Sequence, residues 1–466
     1  MARVKQKMFL FLCLLVILYI FLCHFYRPLL DDKFLELNKC PACYGKKLCK
    51  HLFNTEVVLN EHKLNIISVF NVRNVFLGNI ANEKVVFKKL AHNWELQRFD
   101  SLLGAATLRI VCPLGDCLPQ HHAPGDGLRE VLKFYDWNVS SLVQNEPELF
   151  EFSDAVKCPS VRTIEFLFKS FQEHEATSGS DELLENFVTQ LSINPEPLIM
   201  MAFRAKEPVF AEVLGACGRL VAYAHAGVPL TDVLDRPWLE RVRYALQLLQ
   251  ITQALSTGPM ALYLCDPRPE NFAVDDRGKV WIVDAENIIL VDSKANGMAQ
   301  DEHENDGTGC LDCFSFSQED LCSHATTDHN YFAICKSLLS STPFERSIPG
   351  GLLRDAPTWL TEDFPSVFLL IEICSYPAYS PYRKLSGNIL TFDTKSGARV
   401  PSWGVNTPAK MEECEGNVSS QGQKECGSHN VSLGSPNFAT MGRRKAVEYL
   451  ISIFNKLLNM KLPGKF

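Results

Sequence analysis

The chain has 466 residues, 46% of them hydrophobic and 21% charged, with a net charge of −8 at pH 7. That is enough apolar material for a large core, and the length points to a two-lobed domain or two domains. A net negative chain offers no basic field to a polyanion, which excludes nucleic acid as a partner class.

Arg3, Lys5 and Lys7 precede Met8–Tyr26, a nearly uncharged run broken only by His24 near its end. At about 1.5 Å per residue such a helix spans roughly 28 Å, close to the hydrocarbon core of a thin bilayer. The basic flank keeps the N-terminus cytosolic and sends the rest into the secretory lumen. A cleaved signal peptide is the alternative, but Leu22–Tyr26 offers no small-x-small cleavage site. The expected order is therefore a cytosolic tail (1–7), a transmembrane signal-anchor (8–26) and a luminal remainder. Three sequons, at Asn138, Asn417 and Asn430, agree with a glycosylated luminal chain.

There are seventeen cysteines, of which Cys13 and Cys23 lie in the apolar run. The Cys40-Pro-Ala-Cys43 motif, with Cys49 six residues on, opens a Cys-rich stem (27–60). A zinc site needs more local ligands than these, so disulfides are expected and no zinc. Leu64–Phe76 and Val85–Leu90 read as strands, with Lys88 and Lys89 on opposite faces. Glu95 is the nearest acidic residue on a following helix, and Glu130 is a second candidate. The His121-His122 pair lies in a Pro/Gly loop and reads as solvated. Val161–Gln172 and Glu182–Leu191 have helical periodicity, which makes about 100–200 a helical insertion within a first lobe (61–226). Val209–Leu214 and Arg219–Tyr223 read as strands leading to Gly227.

A second lobe (227–466) follows. Asp235 is the expected cap of an apolar helix with Pro237 in its first turn, stopped at Ser256–Pro259. Asp301–Asp306 is not an EF-hand, since Asp306 and Asp312 stand where Gly and Glu are required. Cys310, Cys313, Cys322 and Cys335 are expected to staple the segment after Asp284. Asp328–Leu339 and Lys445–Leu458 read as helices, and Ser396–Ser435 as an exposed glycosylated insertion.

The most informative stretch is Ala261–Asn287. Phe272–Val274 and Lys279–Val283 alternate in apolar character around Asp275-Asp276-Arg277-Gly278, the pattern of a β-hairpin. Asp266 and Asn271 stand before it and Asp284 behind it. Phosphoryl transfer uses such a set: one carboxylate accepts the proton of the attacking hydroxyl, while an amide oxygen and a second carboxylate hold Mg²⁺.

With those offsets the stretch resembles the protein-kinase catalytic loop and the Asp-Phe-Gly segment that follows it. Asp266 falls on the catalytic Asp, Arg268 on the loop Lys, and Asn271 and Asp284 on the metal ligands. Lys88 falls on the strand Lys that holds the ATP phosphates, with Glu95 as its expected partner. Leu264-Cys265 replace the loop His-Arg, and Ala285-Glu286 replace Phe-Gly. The usual Gly-rich phosphate cradle is missing, since Asn74–Ile80 carries the single glycine Gly78.

Phe34–Cys43, Val85–Leu90, Asn194–Leu198, Leu214–Arg219, Ile282–Asn287 and Thr327–Tyr331 extend the likeness over most of the luminal chain. It resembles the divergent protein kinase domain family of the secretory pathway, in its "deleted in autism" branch. The resemblance implies an α+β, two-lobed protein-kinase-like fold with a helical N-lobe insertion, preceded here by the N-terminal membrane anchor. It implies residence in the ER–Golgi system or secretion, a luminal or secreted protein as substrate or receptor, and ATP with Mg²⁺ if the protein is active. A pseudokinase acting as a binding or signalling protein is the alternative. If the chain is luminal and glycosylated, glycosidase treatment shifts its electrophoretic mobility; an unshifted band from secretory membranes contradicts this.

Overall fold

The computed structural model describes residues 32–54, 57–59, 75–112, 124–175, 180–204, 208–295, 303–305, 314–340, 350–376, 383–386, 389–392 and 441–460, with 12 and 14–16. The chain divides into two compact units, Met1–Ala226 with Ile282–Glu286, and Gly227–Trp281 with Asn287–Phe466. Among the described residues no helix is long and apolar enough to cross a membrane. Apart from Leu12 and Leu14–Val16, the expected anchor lies outside them. So do His121, His122, Asn417, Asn430 and the insertion at 396–435.

The first unit is built on a five-stranded antiparallel sheet: β1 (Val57–Leu59), β2 (Val75–Ile80), β3 (Glu83–Lys88), β4 (Val213–Cys217) and β5 (Leu220–Ala224), in the order β1-β2-β3-β5-β4. The β2–β3 hairpin turns on Ala81 and Asn82 with φ of 48° and 71°, as a tight two-residue connection requires. Of the expected strand Leu64–Phe76, only its last two residues are described, and they open β2. Gly78 is paired with Val85 inside β2, so it lies in a strand and not in a phosphate loop. The later strands begin and end a few residues beyond the expected bounds, and β4 carries a register shift between Val213 and Gly215.

The Cys-rich segment is not a separate stem. Leu35, Leu48 and Leu52 share one apolar cluster with Val85, Phe87, Cys217, Leu220 and Ala222. Cys49 is disulfide-bonded to Cys217, and the Tyr44 N–H donates to the Gly218 carbonyl at 2.8 Å. Gly218 has φ +62°, and a Cβ there would stand 1.9 Å from the Leu35 carbonyl, so the approach demands glycine. The fully buried Arg219 donates to the Ala42 carbonyl and pairs with Asp100 at 2.5 Å. A short Leu-rich segment that lacks enough apolar surface for its own core folds onto the sheet instead.

Helices supply the rest of this unit: α1 (Asn93–Val111), α2 (Pro124–Phe134), α3 (Val139–Asn145), α4 (Val161–His174), α5 (Ser180–Ile193) and α6 (Glu196–Arg204). The helical region thus opens earlier than expected, straight after β3. Exposed Asn138 caps α3, its Oδ1 accepting from the Ser141 N–H at 3.0 Å.

In the second unit, Pro237 holds the N-cap position of α7 (Trp238–Ser256) without a side-chain cap, and Asp235, the expected cap, pairs its carboxylate with Arg354. Strand β6 (Val228–Pro229) pairs with β8 (Phe272–Val274), which neighbours β9 (Val280–Ile282); β7 (Met260–Leu264) pairs with β10 (Ile288–Asp292). Helix α8 (His329–Ile334) continues as a π-helical turn over Cys335–Leu339. Helices α9 (Ser366–Ser375) and α10 (Arg443–Asn459) complete it. Buried Arg443 pairs with Asp328 and donates to the carbonyls of Cys374 and Asn305 at 2.6 and 3.0 Å. Cys335 is bonded to Cys374, which corrects the expectation that it staples the segment after Asp284. Cys322 is disulfide-bonded, while Cys310 and Cys313 lie outside the described residues.

Candidate active site

In the first unit, Lys88 at the end of β3 and Lys89 just after it point to different surroundings. Lys89 Nζ donates to the Phe34 carbonyl at 3.1 Å and pairs with Glu36 at 3.3 Å. Lys88 Nζ lies 3.2 and 3.4 Å from the two oxygens of Glu196, 3.7 Å from Asp284 Oδ2, and donates to the Val283 carbonyl at 2.7 Å. Glu196 is 0% exposed. Burial, against the pull of Lys88, pushes its carboxyl up to about 7. Burial alone would lower the Lys88 ammonium, but Glu196 and Asp284 outweigh it and leave its pKa raised.

Glu196 is held where it is by Asn194. The Asn194 Oδ1 accepts from the Glu196 N–H at 3.0 Å, and its Nδ2 donates to the Leu90 carbonyl at 2.8 Å. The start of α6 is thus tied to the end of the Lys88 strand. Residues 282–286 are tied in as well: the Ile282 N–H donates to the Val209 carbonyl at 2.7 Å, and the Ala285 N–H to Glu196 Oε2 at 3.3 Å. The expected partner Glu95 is engaged elsewhere. It closes a capping box at the start of α1, accepting from the His92 N–H at 2.5 Å. Sequence proximity favours Glu95, whereas the pairing carboxylate comes 108 residues after Lys88. The signal that could have found it was the Asn194-Pro-Glu196 motif: Asn ahead of a helical run is an N-terminal cap.

In the second unit, Asp266 Oδ1 lies 3.0 Å from Arg268 Nε, and Asn271 Nδ2 donates to the Asp266 carbonyl at 2.8 Å. That bond fixes the Asn271 amide, leaving its Oδ1 as the acceptor a cation would use. The hairpin behind the loop is set by Asp275, whose Oδ1 accepts from the Arg277 and Lys279 N–H groups at 2.9 Å each. Ahead of the loop, where Leu264-Cys265 replace the kinase His-Arg, the backbone is pinned from α8. His329 Nε2 meets the Leu264 carbonyl at 2.8 Å, and Asn330 Oδ1 accepts from the Leu264 N–H at 2.8 Å. Asn330 Nδ2 also donates to the Leu262 carbonyl at 2.7 Å. Burial, partly offset by the bond to Leu264, pushes His329 down to about 4, so the ring is neutral.

These parts define a chain of the protein-kinase-like class: a strand lysine held by a buried glutamate, an aspartate after the hairpin, and an Asp–Asn loop before it. The family model described as "Protein-kinase domain of FAM69" matches residues 188–374. Divergent protein kinase domain 2A of Homo sapiens is 36% identical over 75% of this chain and 85% of its own. The protein of that name from Xenopus tropicalis is 37% identical over the same shares, and Divergent protein kinase domain 2B of Mus musculus is 21% identical over 66% and 72%. The chain belongs to the divergent protein kinase domain family.

Two outcomes follow. Glu196→Ala leaves a buried ammonium without its nearest counter-charge and is expected to cost about 3–5 kcal/mol of stability, while Glu95→Ala loses only a helix cap, about 0.5–2 kcal/mol. Chemical denaturation compares them, and equal costs contradict the assignment. For His329 the folded pKa is depressed below the ordinary 6.5, so the unfolded chain binds more protons between pH 6.5 and about 4. Its contribution is full above pH 6.5 and is lost as pH falls towards 4, at no more than about 1.4 kcal/mol per pH unit. His329→Gln should flatten this acid slope in thermal melts; an unchanged slope contradicts it.

Proposed function

We propose that the protein transfers a phosphoryl group from ATP to a hydroxyl of luminal or secreted proteins. The observation that carries this is the Lys88–Glu196 pair with Asp284 3.7 Å from the same ammonium. The Asp284 carboxylate beside the Lys88–Glu196 pair is an oxygen ligand of the kind a divalent cation takes. ATP supplies the phosphoryl group, and Mg²⁺ neutralises charge on the phosphates. Lys88 binds the phosphates and Glu196 fixes Lys88. By the sequence resemblance, Asp284 and Asn271 are the residues that would hold the metal. Asp266 accepts the proton of the attacking hydroxyl, and Arg268 orients the Asp266 carboxylate.

The reading extends to location: a type II protein of the ER–Golgi lumen anchored through Met8–Tyr26, or its secreted form, glycosylated at Asn138, Asn417 and Asn430. Exposure of Asn138 supports its glycosylation, and disulfides such as Cys40–Cys43, Cys49–Cys217 and Cys335–Cys374 support an oxidising compartment. One feature favours the alternative of a weak or inactive pseudokinase that acts as a binding protein. The usual Gly-rich phosphate cradle is missing from the sequence, where Asn74–Ile80 carries the single glycine Gly78.

Asp284→Ala should weaken Mg²⁺-dependent nucleotide binding. Asp266→Ala should leave binding intact and lower transfer about 10²–10⁴-fold. Nucleotide affinity and phosphate incorporation are measured on both variants. Unchanged affinity in Asp284→Ala contradicts the metal assignment, and absence of transfer in the wild-type protein selects the pseudokinase.

A further inference from the structure

Cys40 and Cys43 form a disulfide across Pro41 and Ala42. Its sequence separation is 3, against 168 for Cys49–Cys217 and 39 for Cys335–Cys374. The unfolded-chain entropy that a crosslink removes grows with the loop it closes, so of these pairs Cys40–Cys43 does least for stability. Its surroundings are held by other means. Lys39 pairs with Asp100 at 2.7 Å, Arg219 donates to the Ala42 carbonyl, and Gln190 Nε2 donates to the Tyr44 carbonyl at 2.8 Å. Opening the bridge therefore leaves the segment docked.

The two sulfurs are unequal. Cys40 is half-buried, whereas Cys43 is fully buried with its Sγ 3.8 Å from Asn186 Oδ1. An incoming thiolate can reach only the first. The Cys40–Pro41 backbone lies against the first turn of α2, since a Cβ on Gly125 would stand 2.9 Å from the Cys40 carbonyl.

We propose that Cys40–Cys43 is an exchange-active disulfide that accepts electrons from a dithiol, a second chemical site in the first unit. A donor thiolate attacks Cys40 Sγ. The donor S–Sγ bond forms, the Cys40–Cys43 bond breaks, and the electron pair leaves on Cys43 Sγ, which takes a proton from solvent. The donor's second thiolate then attacks its own sulfur in the mixed disulfide and releases Cys40 as a thiolate. The donor ends oxidised to a disulfide, and Cys40 and Cys43 end reduced.

The test titrates the oxidised full chain with dithiothreitol, traps thiols with iodoacetamide and maps the peptides, while circular dichroism follows the fold. Cys40 and Cys43 are expected to be alkylated at a dithiothreitol concentration about tenfold below that which opens Cys49–Cys217, with the fold kept. Opening together with Cys49–Cys217, or only as structure is lost, overturns the proposal. A second arm compares Cys43→Ser with Cys40→Ser. Glutathione disulfide should form a mixed disulfide at Cys40 in the first at least about tenfold faster than at Cys43 in the second. Equal rates in folded variants overturn it, and if either variant fails to fold the wild-type titration decides.

Discussion

An ammonium and a carboxylate buried together are costly unless each finds every partner it needs. Lys88 and Glu196 meet that demand by drawing on three separate parts of the chain. Strand β3 brings the ammonium, α6 brings the carboxylate, and residues 282–286 bring the Val283 carbonyl, the Ala285 N–H and the Asp284 carboxylate. Asn194 sets the start of α6 against the end of β3. This requirement gives a physical reason for Ile282–Glu286 to belong to the first unit although the residues on either side of it belong to the second.

The Asp266–Asn271 loop solves a different problem. A kinase loop of this kind is ordinarily fixed by its own His-Arg, and here those positions are Leu264 and Cys265. The bonds come instead from α8, where a neutral His329 and Asn330 grip the backbone of β7. Asp328, next in the chain, is held by Arg443 of α10. Loop position therefore depends on buried polar groups with specific partners, which the low dielectric makes strong when satisfied and expensive when not.

The parts legible in the sequence were local ones. The hairpin between Asn271 and Asp284 was readable from spacing, because strand period and turn chemistry act over a few residues. Long-range choices were not legible. Glu95 follows Lys88 closely but is taken by a helix cap, and Glu196 lies beyond the whole helical insertion. The Cys-rich segment looked like a stem because its composition is that of one. Its partners, Cys217 and Arg219, are distant in sequence. His329 was visible within Thr327–Tyr331, but nothing local says that its ring will face Leu264.

The central claim is that Lys88, Glu196 and Asp284 form a clamp for a metal-bound nucleotide. Calorimetric titration of ATP into the wild-type protein and Lys88→Met, with Mg²⁺ and with chelator, tests it most directly. The account predicts saturable binding to the wild type that requires Mg²⁺ and weakens by at least about tenfold, or ~1.4 kcal/mol, in Lys88→Met. Absence of binding to the wild type, or equal binding to both proteins, would contradict it.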